Sequence, residues 1–219
     1  MTDAMDWDLI YRHDGGPSWN IGEPQPEMAR IIDRDGAVRG EVLDAGCGHA
    51  ALSLALAARG YAVVGIDLSH SAIAAATAAA GQRGLDNTTF VQADITSLAG
   101  YDGRFSTIFD SGLLHALPAE RQQDYLHCLH RAAAPGATFY ILAFGAGAFP
   151  GHTGLPTQFT DEQLRQIVCE HWQVDEIRPA RLYARSDQLP GVTATPTARN
   201  VESGMAHWPG HLLTAHKER

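Results

Sequence analysis

Aspartates follow short apolar runs at four places in the first half of the chain: Asp44, Asp67, Asp94 and Asp110. Carboxylates accept hydrogen bonds from hydroxyl and amino groups, and in a partly dry site they attract cations strongly. If the apolar runs are parallel strands, the four carboxylates lie at one edge of a sheet, outside the carboxyl ends of the strands. Open α/β sheets bind ligands at that edge, so we expect the aspartates to surround a polar or cationic ligand.

A glycine-rich turn directly after the first of these aspartates contains Gly46 and Gly48. Because glycine has no Cβ, we expect the turn to let a ligand approach backbone N–H groups closely. Asp67 is placed to accept hydrogen bonds from two ribose hydroxyls. Asp94 and Ile95 are expected to flank an adenine, with the carboxylate accepting from the exocyclic amine. These features fit a nicotinamide dinucleotide or S-adenosylmethionine.

The charge around the turn favours the second cofactor. A dinucleotide would bring its pyrophosphate to the turn, where Asp44 would repel it, and Ala51 stands where a third glycine is expected. S-adenosylmethionine instead carries an ammonium group and a sulfonium, and a border of carboxylates attracts both. We therefore expect S-adenosyl-L-methionine as cofactor and S-adenosyl-L-homocysteine as product, with a nicotinamide-dependent oxidoreductase as the alternative.

The elements that position these residues alternate between strand and helix. The stretch 41–68 predicts a strand, the glycine turn, a helix and a second strand, which is one parallel βαβ unit. The alternation continues and predicts a doubly wound, Rossmann-like α/β fold with a seven-stranded, mostly parallel sheet and helices on both faces. Residues 21–219 are expected to form a single domain. Residues 1–20 form an N-terminal arm, either a cover over the ligand cleft or a loose tail.

The second half of the chain contains less regular segments. Pro135 and Gly136 are expected to turn the chain into a strand over 137–144. Residues 184–204 predict an irregular excursion that could act as a lid, and 205–215 predict a last strand interrupted at Pro209 and Gly210.

Composition argues against several classes of partner. With a net charge of −9 and no basic stripe, the chain is not expected to bind nucleic acid. Its apolar stretches are too short to span a bilayer, so no membrane partner is expected. Three widely spaced cysteines indicate reduced thiols and a cytoplasmic protein. The histidines lack acidic or cysteine ligands at metal-site spacing, so no metal is expected. The sequence leaves the oligomeric state open.

The motifs DAGCGHA at 44–50, VVGIDLS at 63–69 and QADI at 92–95 together resemble those of class I S-adenosylmethionine-dependent methyltransferases. The third loop glycine usual in that family is absent, with His49 and Ala50 in its place. The resemblance implies that the cofactor is bound by residues of these motifs and by the aspartate after the fourth strand: Asp44, Gly46, Cys47, Gly48, Asp67, Leu68, Asp94, Ile95 and Asp110.

A narrower resemblance covers flanking stretches: WNIGEPQPE at 19–27, DSGLLHALP at 110–118, RAAAPGA at 131–137 and RPARLYAR at 178–185. These are similar to the mycobacterial heterocyclic toxin methyltransferases, which modify hydroxyquinolone-like and related phenolic or heteroaromatic compounds. The first stretch also resembles one in thiopurine and tellurite-resistance methyltransferases, where it lies near the cofactor. The resemblance implies that Trp19 covers the cofactor, with a core tryptophan as the alternative. It also implies a small, aromatic, toxin-like methyl acceptor and a role in detoxification.

His115 follows the fourth strand, at the edge where the transferred methyl group should lie. It is a candidate for orienting the acceptor or for taking its proton, and the alternative is that it only packs in the loop. Tyr183 and Arg185 near the end of the sixth strand are candidates for binding the acceptor, against the alternative of a core tyrosine beside an exposed polar loop. A non-catalytic cofactor-binding regulator is the remaining alternative to an enzyme.

Overall fold

The computed structural model describes residues 6–12, 16–151, 156–185, 198–200 and 204–219. Parts of the predicted N-terminal arm (1–5 and 13–15) and most of the predicted excursion lie outside these residues, so the expectations of a mobile cover and of a lid are untested there. In the described part, no helix is both long and apolar enough to cross a membrane. The same ranges contain no group of three or more side chains arranged to hold a metal ion.

One sheet runs through the molecule, with strands β1 (Val42–Ala45), β2 (Val63–Asp67), β3 (Thr88–Gln92), β4 (Phe105–Ser111), β5 (Ala133–Phe144), β6 (Gln173–Arg185), β7 (Ala198–Asn200) and β8 (Met205–His216). Their order is β3-β2-β1-β4-β5-β8-β6, and the short β7 pairs with β8. Strands β1 to β5 pair in parallel, whereas β8 runs antiparallel to β5 and β6. This order confirms the predicted fold and adds β7 inside the predicted excursion.

Helices cover both faces of the sheet: α1 (Trp7–Arg12), α2 (Pro26–Ile32), α3 (Ala51–Ala57), α4 (His70–Arg83), α5 (Ala119–Ala132) and α6 (Asp161–Val168). On one face, Met28 of α2 and Leu56 of α3 share a buried cluster with Val63. On the other face, Leu126 of α5 shares a second cluster with Leu43. β1 and β2 are buried on both faces, so they appear in the sequence as nearly continuous apolar runs.

The start of α4 fixes the chain immediately after Asp67. The Ser69 side chain caps this helix and accepts a hydrogen bond from the Ala72 N–H at 3.1 Å. Thr160 and Gln163 form a capping box at the start of α6. Both helix starts follow from cap residues that are visible in the sequence.

The turn predicted at Pro135 and Gly136 and the interruption predicted at Pro209 and Gly210 both lie within strands. β5 already begins at Ala133 and includes Pro135 and Gly136. β8 continues through Pro209, whose carbonyl accepts from the Gly145 N–H at 3.0 Å. The N–H and C=O groups of a strand residue point toward the same neighbouring strand, so the nitrogen of Pro209 faces β5, as its carbonyl does. The last residue pair between β5 and β8 is Phe144 with Gly210, and Pro209 lies just beyond it. The missing N–H of Pro209 therefore costs no hydrogen bond of the β5–β8 ladder.

Candidate cofactor and acceptor site

The glycine turn between β1 and α3 is tied to the end of β2. The N–H groups of Gly46 and Cys47 donate to the Ile66 carbonyl at 2.8 and 3.0 Å, and the Gly48 N–H donates to Asp67 Oδ2 at 2.9 Å. β2 therefore accepts all three of these N–H groups, and a ligand that approached the turn would have to share them. The turn still requires glycine, since Gly46 and Gly48 have φ values of 70° and 53°.

Neighbouring side chains pack against the turn where a Cβ would stand. A Cβ on Gly46 would lie 3.0 Å from Leu113, in the loop after β4, and one on Gly48 would lie 2.6 Å from the Tyr11 hydroxyl. The turn is thus enclosed by this loop and by α1. Burial and the nearby carboxylates raise the pKa of the Cys47 thiol well above its usual range. Cys47 is therefore a neutral packing residue, not a thiol activated by the start of α3.

The two residues that replace the third family glycine have separate roles. Ala50 has a φ of 63°, and no other non-glycine in the described ranges has a positive φ. It therefore keeps the left-handed conformation that favours glycine, at a cost in strain. His49 Nδ1 lies 2.7 Å from Asn20 Nδ2, a hydrogen bond that joins the turn to the N-terminal segment.

Asp67 is the aspartate best placed to meet a ligand at the turn. It is 9 % exposed, and Oδ1 accepts from the Ser69 N–H at 2.9 Å. With one backbone N–H on each oxygen, each keeps a lone pair for a further donor such as a ribose hydroxyl. Burial raises the pKa of Asp67, although these N–H groups act in the opposite direction. Leu68, the next residue, is 53 % exposed and offers apolar surface beside the carboxylate.

Asp44 and Asp110 lie buried behind the edge, which corrects the expectation that all four aspartates line it. Asp44 Oδ2 accepts from the Ser53 N–H at 3.1 Å and from its hydroxyl at 2.5 Å. Asp110 accepts from the backbone N–H groups of residues 112–114 at 2.7–3.0 Å and from the Tyr125 hydroxyl at 2.8 Å. Burial raises the pKa of both carboxyls to about 6. Asp44 fixes the position of α3, and Asp110 fixes the loop after β4. Above pH 6 both carboxylates also add buried negative charge behind the edge of the sheet.

Asp94 lies just beyond β3 and already has protein partners. Its Oδ1 accepts from the Thr96 N–H at 2.9 Å, and its Oδ2 pairs with Arg121 at 3.0 Å. Burial acts to raise the pKa of Asp94, but Thr96 and Arg121 together lower it. Ile95 is 7 % exposed. An amino group of a ligand would have to share Oδ2 with Arg121.

Helix α1 docks on the first turn of α4, beside Asp67. Asp8 Oδ1 accepts from the Ser71 N–H at 2.8 Å and from the Ser69 hydroxyl at 2.9 Å, and Asp8 forms an ion pair with Arg12. The Ser71 and Ser69 hydrogen bonds lower the pKa of Asp8 to about 2. This contact was not predicted, because a six-residue helix is too short to show a clear hydrophobic period.

An aromatic cluster joins the N-terminal segment to the turn. The Trp19 ring meets the Trp7 and Tyr11 rings edge-on, with centroids 6.3 and 6.4 Å apart, and Tyr11 meets His49 at 5.1 Å. Trp19 is 45 % exposed, so it is not a core anchor. Tyr11 belongs to the predicted N-terminal arm, and burial raises the pKa of its hydroxyl above the usual range.

His115 packs against the end of β5. It is 6 % exposed, its Nδ1 accepts from the Phe144 N–H at 3.3 Å, and its ring centroid lies 4.4 Å from that of Phe144. The last residue pair between β4 and β5 is Ser111 with Leu142. The Phe144 N–H lies beyond that pair, and the imidazole accepts its hydrogen bond in place of β4. Because Nδ1 is the acceptor, the ring proton is on Nε2. Burial lowers the pKa of His115 to about 3, so the ring is neutral at physiological pH.

The structure joins Tyr183 and Arg185 to the N-terminal segment. The Gln25 side chain pairs with the N–H and the C=O of Tyr183, at 2.8 Å each. The Arg185 N–H donates to the Ser18 carbonyl at 2.8 Å. The end of β6 is thus tied to residues 18–25, whereas His115 is tied to the end of β5.

Three aromatic residues that sequence reasoning missed continue from His115. The Phe144 and Phe149 centroids are 4.8 Å apart, and those of Phe149 and Trp208 are 6.1 Å apart. We call these four residues, His115, Phe144, Phe149 and Trp208, the aromatic wall. It comes from four segments that meet because β8 inserts between β5 and β6.

The doubly wound sheet, the glycine turn tied to an acidic β2 end and the buried histidine after β4 define a Rossmann-like protein of the class I methyltransferase type. A family described as "Methyltransferase domain" matches residues 42–136. The chain is 46 % identical over 204 residues to the 2-heptyl-1-hydroxyquinolin-4(1H)-one methyltransferase of Mycobacteroides abscessus, covering 92 % of this chain and 89 % of that protein.

The chain belongs to the class I S-adenosylmethionine-dependent methyltransferases that act on small molecules. It is an enzyme with S-adenosylmethionine as cofactor, and the comparisons do not favour a nicotinamide-dependent oxidoreductase.

Solved structures show the same fold. One, described as "Conversion of a Disulfide Bond into a Thioacetal Group during Echinomycin Biosynthesis", superposes with a TM-score of 0.81 at 31 % identity over 96 % of this chain and 90 % of that one. Another is Burkholderia thailandensis 1,6-didemethyltoxoflavin-N1-methyltransferase with bound 1,6-didemethyltoxoflavin and S-adenosylhomocysteine. It superposes with a TM-score of 0.65 at 22 % identity over 89 % of this chain and 77 % of that one.

Proposed function

We propose that this enzyme transfers a methyl group from S-adenosylmethionine to an oxygen, or alternatively a nitrogen or sulfur, of a small heteroaromatic or phenolic compound such as a hydroxyquinolone, in a detoxifying role. The observation that carries this proposal is the 46 % identity to a hydroxyquinolone methyltransferase over nearly the full length of both chains. The three free cysteines support a reducing, cytoplasmic setting.

The cofactor is proposed to lie between the glycine turn and the N-terminal segment. Asp67 would accept from the ribose hydroxyls, with Leu68 against the adenine and Asp94 and Ile95 at its edge. The methionine part would follow the turn at Gly46, Cys47 and Gly48, under Trp19. Asp44 and Asp110 would act through their charge and by holding the turn and the loop, since hydrogen bonds to the protein already occupy both. The residues 1–20 would cover this cleft.

His115 is proposed to orient the acceptor as a hydrogen-bond donor. Its proton is on Nε2, and a pKa of about 3 makes it a weak base at neutral pH. A donor at this place would hold the reacting oxygen or a neighbouring atom in line with the methyl group. Tyr183 and Arg185 are proposed to form one side of the acceptor-binding site, where their contacts with the N-terminal segment hold them in place.

The reaction breaks the bond from the sulfonium sulfur to the methyl carbon and forms a bond from that carbon to the acceptor atom. An acidic N-hydroxyl or phenol loses its proton to solvent before it attacks. The protein then mainly has to align the two partners and exclude water, which can supply several kcal/mol of the barrier.

The test is a methyl-transfer assay with labelled S-adenosylmethionine and 1-hydroxyquinolin-4(1H)-one, simple phenols and heteroaromatic thiols, read by product mass. We expect a product one methyl group heavier from the hydroxyquinolone. Methylation of none of these compounds, with S-adenosylhomocysteine still raising the thermal midpoint, would contradict the proposed acceptor class and leave the cofactor assignment standing.

A further inference from the structure

Trp208 lies at one end of the aromatic wall, and His115 lies at the other. Trp208 is 2 % exposed and lies in a small buried cluster with Ala148, Phe149 and Ala206. Phe144 packs against this cluster and also contacts the His115 ring. The wall is therefore one continuous apolar surface, with an imidazole at one end and an indole at the other.

The indole N–H of Trp208 is buried, and among the described residues it has no hydrogen-bond partner. Buried tryptophan N–H groups usually have one, because an unsatisfied donor carries its full desolvation cost. Trp172 shows the ordinary case in the same molecule: it is 3 % exposed, and its Nε1 donates to the Leu126 carbonyl at 3.3 Å. An orphaned buried donor requires an explanation, and in a family that acts on small molecules a ligand can supply the missing partner.

We propose that Trp208 is an acceptor-binding residue, whose indole N–H donates a hydrogen bond to an oxygen or nitrogen on the ring of the methyl acceptor. This inference rests on the proposed function and narrows it. With His115 Nε2–H at one end of the wall and Trp208 Nε1–H at the other, we expect an aromatic acceptor that carries a hydrogen-bond acceptor at each end. The 1-hydroxyl and 4-oxo groups of a hydroxyquinolone have this arrangement, and Trp208 binds the oxygen that is not methylated.

The experiment compares two bicyclic acceptors, 1-hydroxyquinolin-4(1H)-one and 1-naphthol, which lacks the opposite oxygen. Trp208→Phe keeps an aromatic ring and removes the donor. It is expected to raise KM for the hydroxyquinolone about tenfold, the effect of one buried hydrogen bond, and to change KM for naphthol less than twofold. Trp172→Phe is the matched control, which loses a satisfied N–H and should leave both KM values unchanged.

The outcomes separate the two levels of the proposal. If Trp208→Phe raises both KM values equally, or changes neither, Trp208 does not read the second oxygen and the inference is overturned while the proposed function stands. If the wild-type enzyme methylates neither compound, the proposed function fails and the inference fails with it. A second measurement needs no variant: in the ¹⁵N spectrum of the wild-type enzyme with S-adenosylhomocysteine, the Trp208 indole N–H signal should move downfield on adding the hydroxyquinolone. An unmoved signal at saturation would overturn the inference.

Discussion

The backbone N–H of Gly48 donates a hydrogen bond to Asp67 Oδ2 at 2.9 Å, across the gap between the turn after β1 and the end of β2. This contact holds the Asp67 carboxylate, which is 9 % exposed, in a defined orientation beside the turn. In the proposed cofactor site, this orientation would direct the Asp67 carboxylate toward the ribose hydroxyls.

Replacing Asp67 by asparagine should weaken S-adenosylhomocysteine binding. The amide removes the charge that accepts the ribose hydroxyls, and hydrogen bonds to charged groups contribute about 1.5–3 kcal/mol, so we expect a loss of roughly 10- to 100-fold in affinity by calorimetry. Asp102→Asn is the control, because Asp102 is exposed and pairs with Arg131 away from the site. Unchanged affinity in Asp67→Asn would rule out the ribose contact.

Gly48→Ala should displace the N-terminal segment. The new Cβ would lie 2.6 Å from the Tyr11 hydroxyl, in addition to the strain of about 1–2 kcal/mol at a φ of 53°. Gly84→Ala has a similar φ of 64° with open space around its Cβ, so it isolates the strain. We expect only Gly48→Ala to change the fluorescence of Trp7 and Trp19, and Tyr11→Phe in the same chain to restore part of the signal. Identical spectra for the two alanine variants would show that α1 does not pack on the turn.

Stability should depend on pH through His115. Its pKa is about 3 in the fold and about 6.5 in an unfolded chain. Between these values the unfolded chain takes up a proton that the folded chain does not. The stability contributed by the neutral ring is thus complete above pH 6.5 and is lost as the pH falls. At pH 5 the loss is about 2 kcal/mol.

The measurement is urea denaturation of wild type and His115→Gln at pH 7.5 and pH 5. The difference in unfolding free energy between the two proteins should shrink by about 2 kcal/mol at pH 5. His70→Gln is the control because His70 is exposed. The difference in unfolding free energy between this variant and wild type should be the same at both pH values. A constant difference for His115→Gln would mean that His115 is not held neutral.

The carboxylates of Asp44 and Asp110 should favour the cationic cofactor over its neutral-sulfur product less strongly in acid. The pKa values of Asp44 and Asp110 are raised to about 6, so both carboxyls are ionised at pH 7.5 and largely neutral at pH 5. The ratio of dissociation constants, S-adenosylhomocysteine over S-adenosylmethionine, should therefore fall by roughly tenfold between these pH values. Asp44→Asn should flatten this dependence. A pH-independent ratio in wild type would remove the electrostatic reason for the cofactor preference.

The parts of the site that the sequence predicted are local in the chain. The strand, glycine turn and helix around Gly46 and the aspartate at the end of β2 are each specified by a few neighbouring residues, and the structure reproduces them. The burial of Asp110 was not predictable in the same way, because its partners come from the following loop and from Tyr125 on α5.

The aromatic wall could not be predicted, because His115 and Trp208 are far in sequence from Phe144 and Phe149. Phe149 and Trp208 become neighbours only through the insertion of β8 between β5 and β6, which no local pattern encodes. Pro209 even suggested an interrupted strand beside Trp208. A proline is tolerated there only because its nitrogen side lies beyond the β5 ladder.

A crystal structure with S-adenosylhomocysteine tests the account most directly. We predict the ribose hydroxyls within hydrogen-bond distance of Asp67 and the adenine against Leu68. The sulfur should lie above the turn at Gly46 and face His115 and Phe144. A nucleoside bound away from Asp67, or a sulfur that faces away from the aromatic wall, would contradict it.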